Sequence, residues 1–278
     1  MTHKNTTIHE AGRALLGLTN KLALLGTIDD EGGPHLTFFN TIQGLGEKNL
    51  TFGQFCTGLS KEHLLDRPDC AFLALSAERT WLRGNARYTH QAIAGPEFDE
   101  YNDKPIFRYN SYVGINTVWY LDLLGISDMH KLDALKIVLG GIRSRKIAKA
   151  VAKEENNALS PFSKTLCGQL GGPKFLCYQA ADGTLSIFPV VQAKPAGTDR
   201  IAIAGTPYGE ELAQIPDGAK VAFYALNLKM QNVLVKGVFS RVKKGYQIDI
   251  TRVYNTMPPI SGYIYPKEAR PAEVTDFS

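Results

Sequence analysis

Apolar and polar positions along the chain fall into short runs broken by glycine-bearing turns. Residues 21–53 read KLALLGTIDDEGGPHLTFFNTIQGLGEKNLTFG, and residues 174–205 read KFLCYQAADGTLSIFPVVQAKPAGTDRIAIAG. Each has an apolar run, an acidic-glycine turn, an alternating run, a looser glycine-bearing loop and a strand ending in glycine. The turns are Asp29-Asp30-Glu31-Gly32-Gly33 and Ala181-Asp182-Gly183. Asp-Gly between apolar runs predicts a hairpin, because glycine accepts positive φ without a Cβ clash. The parallel continues downstream. Cys70-AFLALSAERTWLRGNAR-Tyr88 resembles Val221-AFYALNLKMQNVLVKGVFS-Arg241, with Gly84 set against Gly237. Each half then closes with an aromatic-rich strand, Val118–Leu124 and Gly245–Thr251. The shared order predicts a duplication.

Two segments follow a helical period instead. Residues 7–18 (TIHEAGRALLGL) predict an amphipathic helix. Between the repeats, Leu132, Leu135, Leu139, Ile142 and Ile147 recur at helical spacing, and Gly140-Gly141 is expected to divide them into two short helices. The other face is basic, with Lys136, Arg143, Arg145, Lys146, Lys149 and Lys153. It reads as a solvated face, with an anionic-ligand or acidic-partner surface as the sharper alternative. The expected plan is mainly β with flanking helices (α+β): two β-barrels in tandem joined by a helical linker. The expected domains are 1–127, a linker at 128–160, and 161–278.

Composition narrows the class. The 278 residues are 44% hydrophobic and 21% charged, which is ordinary for a globular chain. Thirty-one Lys and Arg against 27 Asp and Glu leave a net charge of +4, too small an excess to imply a nucleic-acid or membrane partner. No apolar run approaches the ~20 residues of a membrane helix. The polar start MTHKNTTIHE does not read as a signal peptide. Cys56, Cys70, Cys167 and Cys177 form no CxxC pair, and the six histidines show no paired metal spacing. A reduced, cytoplasmic protein without a metal is the expectation.

Candidate chemistry sits where the repeats differ. After the strand ending at Gly53 comes Gln54-Phe55-Cys56-Thr57-Gly58-Leu59-Ser60-Lys61-Glu62-His63. A helix is predicted to start near Ser60, with Ser60 as its N-cap. Lys61 places a positive charge at the positive end of that helix, which suits a site for an anion such as phosphate. The second repeat has Gly205-Thr-Pro-Tyr-Gly-Glu-Glu211 here and no lysine, so the duplication is expected to be functionally asymmetric. His35, on an alternating strand, and His63 read as solvent-facing. Trp81 and Arg83 share a strand face. No Ser-His-Asp order or carboxylate pair stands out for hydrolysis.

The segments ALLGTIDDEGGPHLTFF, LTFG, Ser60-Lys61, Arg67-Pro68, CAFLAL and WLRGNA together resemble the pyridoxamine 5′-phosphate oxidase-like FMN-binding split β-barrels. The resemblance is good over about residues 10–125 and reduces to the strand plan over about 170–255. It implies FMN at a barrel–barrel interface. It puts Thr37, Phe38, Phe39 and Asn40 along the isoalloxazine edge, and Phe52, Gly53 and Gln54 near the ribityl chain and phosphate. Ser60 and Lys61 would bind the phosphate, with Thr57 as a further donor. Gln231 and Asn232 occupy the position from which a partner barrel reaches the flavin, here within one chain as a fused pseudo-dimer.

The expected function is a flavin-dependent oxidoreductase acting on a small-molecule substrate, with NAD(P)H as the candidate reductant. A homodimer or an intramolecular pseudo-dimer is expected. The rivals are a flavin-binding or sensory module without turnover, and a split barrel using a deazaflavin or heme. Heme would take His35, His63 or His90 as axial ligand.

Overall fold

The structure is a computed structural model describing residues 5–55, 58–107, 114–227, 229–256 and 262–267. The first half runs α1 (Glu10–Gly17), β1 (Leu22–Ile28), β2 (Pro34–Phe38), β3 (Gln43–Leu45), β4 (Asn49–Gln54), α2 (Leu59–Asp66), β5 (Asp69–Leu75), β6 (Thr80–Ala92), α3 (Pro96–Asp103), a 3-10 turn at Pro105–Phe107, β7 (Thr117–Ile126) and β8 (His130–Lys131). α4 (Ala134–Val151) crosses to the second half. There follow α5 (Pro161–Gly168), β9 (Lys174–Gln179), β10 (Leu185–Pro189), β11 (Lys194–Ala196), β12 (Arg200–Ile203), α6 (Gly209–Gln214), β13 (Lys220–Leu226), β14 (Asn232–Val242), β15 (Gly245–Asn255) and β16 (Gly262–Tyr265).

The two halves form antiparallel sheets of eight strands each. Seven strands of the first follow the order β2-β1-β5-β6-β7-β4-β3 and seven of the second β10-β9-β13-β14-β15-β12-β11, so the same path is traced twice; the eighth strands differ, β8 pairing with β6 and β16 with β15. The register matches residue by residue. Gly26 faces Leu36 as Cys177 faces Ile187. Leu25 faces Phe72 as Leu176 faces Phe223. Leu75 faces Trp81 as Leu226 faces Asn232. One constant offset joins all these pairs and also carries α1 onto α5. Even the β-bulges coincide, between Asn85 and Ala86 and between Lys236 and Gly237. The register corrects the sequence alignment: Gly237 is the counterpart of Ala86, not of Gly84. The halves diverge in length between β6 and β7, where the first carries α3 and the 3-10 turn.

Each strand's period of two explains its composition. In β5, Phe72 and Ala74 face the core of the first barrel, while Ala71, Leu73 and Leu75 belong to a second core shared with the other barrel. A strand buried on both faces needs a continuous apolar run, which CAFLAL supplies. Leu24, Leu36 and Trp81 join Leu176, Ile187, Phe223 and Val235 in that shared core.

α4 departs from expectation. Gly140-Gly141 does not break it; the helix runs unbroken from Ala134 to Val151, capped by Asp133, whose carboxylate accepts from Lys136 N. Gly140 lies against the second barrel, where a Cβ would stand 2.1 Å from the Thr206 carbonyl oxygen. The buried face is Gly140, Gly141, Ser144, Ile147 and Ala148, whereas Leu135, Leu139 and Ile142 point outward. Helical spacing identified the helix, but the small residues, not the leucines, form its packing face.

Candidate functional site

The loop after β4 leads into α2, which begins two residues earlier than predicted. Gly58 is the N-cap, without a side-chain capping bond, and Ser60 lies inside the first turn. The Ser60 hydroxyl turns to β2, where it shares a 2.5 Å hydrogen bond with the Thr37 hydroxyl. Ser60 is 2% exposed and Lys61 7%, so neither is the surface residue a polar pair at a helix start usually is. The Lys61 ammonium lies 5.8 Å from the centroid of the Phe39 ring. Two hydroxyls thus meet at the positive end of a helix, and the buried Lys61 follows Ser60 in the same turn. That donor set fits a phosphate group. The matching positions of the second barrel, Glu211 and Leu212, do not.

The remaining predicted contacts divide. Phe38, half-buried at the end of β2, packs against the shared core, and Phe39 and Asn40 follow just beyond the strand. Phe52 is wholly buried between Phe39 (centroids 4.8 Å apart) and Trp119 (5.7 Å), so its side chain belongs to the core. The open face of Gly53 is filled by Ile115, 2.7 Å from where a Cβ would lie. The Gln54 carboxamide accepts from Trp119 Nε1 at 2.9 Å. Gln231 ends the β13–β14 turn and Asn232 opens β14. There Asn227 Nδ2 donates to Gln231 Oε1 at 2.8 Å, and Asn232 Nδ2 donates to the Met230 carbonyl at 2.9 Å. Thr57 and Cys56 lie outside the described residues.

A polar cluster that the sequence reading left scattered adjoins α2. His63, expected in solvent, is buried, with Nδ1 3.1 Å from the Thr27 hydroxyl. His35, also expected at the surface, is buried between His63 and Tyr254 of the second barrel, its centroid 5.1 and 5.5 Å from theirs. Burial, with Lys236 and His63 adding to it, holds His35 well below the usual histidine value. Burial lowers His63 as well, helped by Lys236. Asp29 accepts from Gly33 N at 2.7 Å and pairs with Lys236 across the interface. Burial pushes its carboxyl upward, but the hydrogen bond and charge of Lys236 prevail and hold it below the ordinary value. The available signal was Lys236 itself, a single cation inside the apolar run VLVKG.

The reciprocal corner is built differently. Arg83 reaches from β6 into the second barrel, donating to Ser186 Oγ at 3.3 Å and to the Ile187 carbonyl at 3.4 Å. Its guanidinium lies 3.8 Å from the Glu211 carboxylate. It lies 5.8 Å from the centroid of the Trp81 ring, which packs on His130 and Tyr208, and Tyr208 in turn meets Phe188. Two grooves run along the interface. One, of about 510 Å³, lies between Asp69, Asn85 and the turn at Asp182-Gly183-Thr184. Its counterpart, of about 240 Å³, lies between Lys220, Lys236 and the turn at Asp29–Gly33. Neither is lined by Ser60 or Lys61.

No protein-family model matches the chain, and no curated protein matches it. Solved structures do. An FMN-binding protein from Syntrophomonas wolfei is similar at 13% identity and TM-score 0.37, over 44% of this chain and 84% of its own. An F420 reductase is similar at 14% identity and TM-score 0.35, over 41% and 94%. A pyridoxinephosphate oxidase family protein from Clostridium acetobutylicum is similar at 12% identity and TM-score 0.28, over 40% and 86%. The strand order, traced twice at one offset, decides the architecture. The chain is two split β-barrels in tandem. Among the described residues no group of three or more His, Cys, Asp or Glu could hold a metal ion, and no helix is long and apolar enough to cross a membrane.

Proposed function

We propose that the protein is a flavin-binding oxidoreductase that takes FMN, one per chain, with its phosphate at Ser60 and Lys61. The observation that carries this reading is the meeting of the Ser60 and Thr37 hydroxyls in the first turn of α2, where the buried Lys61 follows Ser60. A phosphate is favoured at the positive end of a helix, and a lysine in the first turn adds to that attraction. The asymmetry supports one site per chain, because Glu211 would repel a phosphate at the mirrored position. When bound, the flavin would supply hydride or electron transfer. The chain's own part is to hold the phosphate, shield the site behind Phe39 and the second barrel, and orient the ring. Because Ser60 and Lys61 are closed to solvent, binding requires local opening and association is expected to be slower than an open site allows.

The test is reconstitution. The purified protein should take up FMN, turn yellow and oxidise NAD(P)H when supplied with an electron acceptor. Lys61→Ala should weaken FMN by roughly ten- to hundred-fold while riboflavin, lacking the phosphate, changes little. Failure to take up FMN, a Soret band in its place, or equal losses for FMN and riboflavin would overturn the assignment. Yellow protein without NAD(P)H turnover would reduce it to a binding module.

A further inference from the structure

The outward face of α4 is built for contact. Leu135 is 70% exposed, Val138 47%, Leu139 45% and Ile142 52%. Positions i, i+3, i+4 and i+7 form one continuous stripe over two turns. The helix is inverted relative to an ordinary surface helix: glycine, serine and alanine meet the barrel, and the large aliphatics face away from it. Its attachment is firm. The Ser144 hydroxyl accepts from Ala204 N at 2.8 Å, and Ile147 and Ala148 pack with Ala196, Ala202 and Ala204.

Charge identifies what the stripe meets. Between Ala134 and Val151 there are five cations, Lys136, Arg143, Arg145, Lys146 and Lys149, and no acid. That exceeds the excess of four in the whole chain, so the basic character is concentrated on one helix. All five are exposed. A modest net charge therefore conceals a strong local one. A second copy docking α4 on α4 would bring these cations together, which opposes self-pairing. The face also has no aromatic anchor, and a single helix face falls short of the about 1,000 Å² that a stable protein interface needs. Aliphatic side chains flanked by Lys and Arg suit a fluid anionic surface, which needs no shape match.

We infer that α4 is an interfacial helix through which the protein adsorbs to anionic phospholipid, its aliphatic stripe entering the headgroup region and its cations meeting the lipid phosphates. The full chain is to be sedimented with vesicles of phosphatidylcholine alone and of phosphatidylcholine mixed with phosphatidylglycerol. Binding is expected only with the anionic lipid and is expected to fall as salt rises. Leu139→Glu combined with Ile142→Glu changes exposed positions only, so the fold should persist by circular dichroism while binding is lost. Arg145→Gln, Lys146→Gln and Lys149→Gln together should weaken it by roughly a hundredfold. Three results would overturn the inference. One is absence of lipid-dependent sedimentation. Another is binding that survives the two glutamates, which would make the face merely electrostatic. The last is a dimer in sedimentation velocity that those glutamates dissociate, which would assign the stripe to a second copy.

Discussion

The two barrels share a backbone and divide the chemistry. At the start of α2 the first has Ser60 and Lys61; at the same place the second has Glu211 and Leu212. Where the first barrel offers Asp29 to the interface, the second has Ala180. Where the second offers Lys236, the first has Asn85, which donates instead to the Leu185 carbonyl at 2.8 Å. One corner of the interface is therefore a charged pair beside a hydroxyl-rich helix start, and the other is an arginine packed among aromatic rings. Strand order is evidently set by the apolar alternation common to both halves, whereas ligand chemistry is set by a few positions free to drift once the alternation is met.

Removing Lys236 should disturb this balance most. Lys236→Ala strands the buried Asp29 carboxylate and should cost about 3–5 kcal/mol in chemical denaturation. Arg83→Ala, at the other corner, leaves the better solvated Glu211 and should cost clearly less. Equal losses would mean that the two corners are energetically alike despite their different construction.

Glycines give the next effect. Gly84→Ala would set a Cβ 2.5 Å from the Gly125 carbonyl oxygen, and Gly237→Ala one 2.3 Å from that of Asp249. Each should cost about 1–3 kcal/mol, as overpacking does. Because Ala86 already stands at the position matching Gly237, a smaller loss for Gly237→Ala would show that the second bulge can adopt the geometry of the first.

Lys21 and Lys174 compare the helix ends. Lys21 donates to the Leu18 carbonyl at 2.8 Å below α1, and Lys174 to the Gln169 carbonyl at 2.8 Å below α5. The two lysines are not at matching positions, yet they serve matching carbonyls. Burial lowers Lys21 to about 8 and Lys174 to about 7. Their alanine variants should lose about 1–3 kcal/mol. The larger loss is expected for Lys174, which also donates to the Val191 carbonyl at 3.0 Å.

The smallest effect is a pH dependence, expected chiefly at the first corner, where two histidines are held low against His130 alone at the other. His35 and His63 are held below the ordinary histidine value of about 6.5. A lowered basic pKa means that the unfolded chain binds protons first. Their contribution is therefore complete above about 6.5 and declines as pH falls below it. Thermal midpoints measured from neutral to mildly acidic pH should drop, and His35→Leu should flatten the slope. An unchanged slope would show that these rings do not govern acid stability.

Much of this was legible in the sequence. The Asp-Gly turns, the runs CAFLAL and VAFYAL, and the single lysine at Ser60-Lys61 are local signals that the fold preserves. What was not legible depends on which face of an element meets which neighbour. His35 and His63 read as surface residues because nothing local reveals a second barrel against β2. Leu135 and Leu139 read as a packing face because spacing gives a stripe but not its direction. Ser60 read as a cap because its contact, Thr37, lies on a distant strand. The alignment of Gly84 with Gly237 followed letters, while the bulges show the true register.

That register has an evolutionary consequence. Each barrel paired with a copy of itself would set Asp29 against Asn85, or Glu211 against Leu234, leaving a carboxylate without its cation. The two halves are therefore mutually dependent: each lacks the cation that its own carboxylate meets here, and a change on either side of the interface is constrained by residues encoded far away in the same gene.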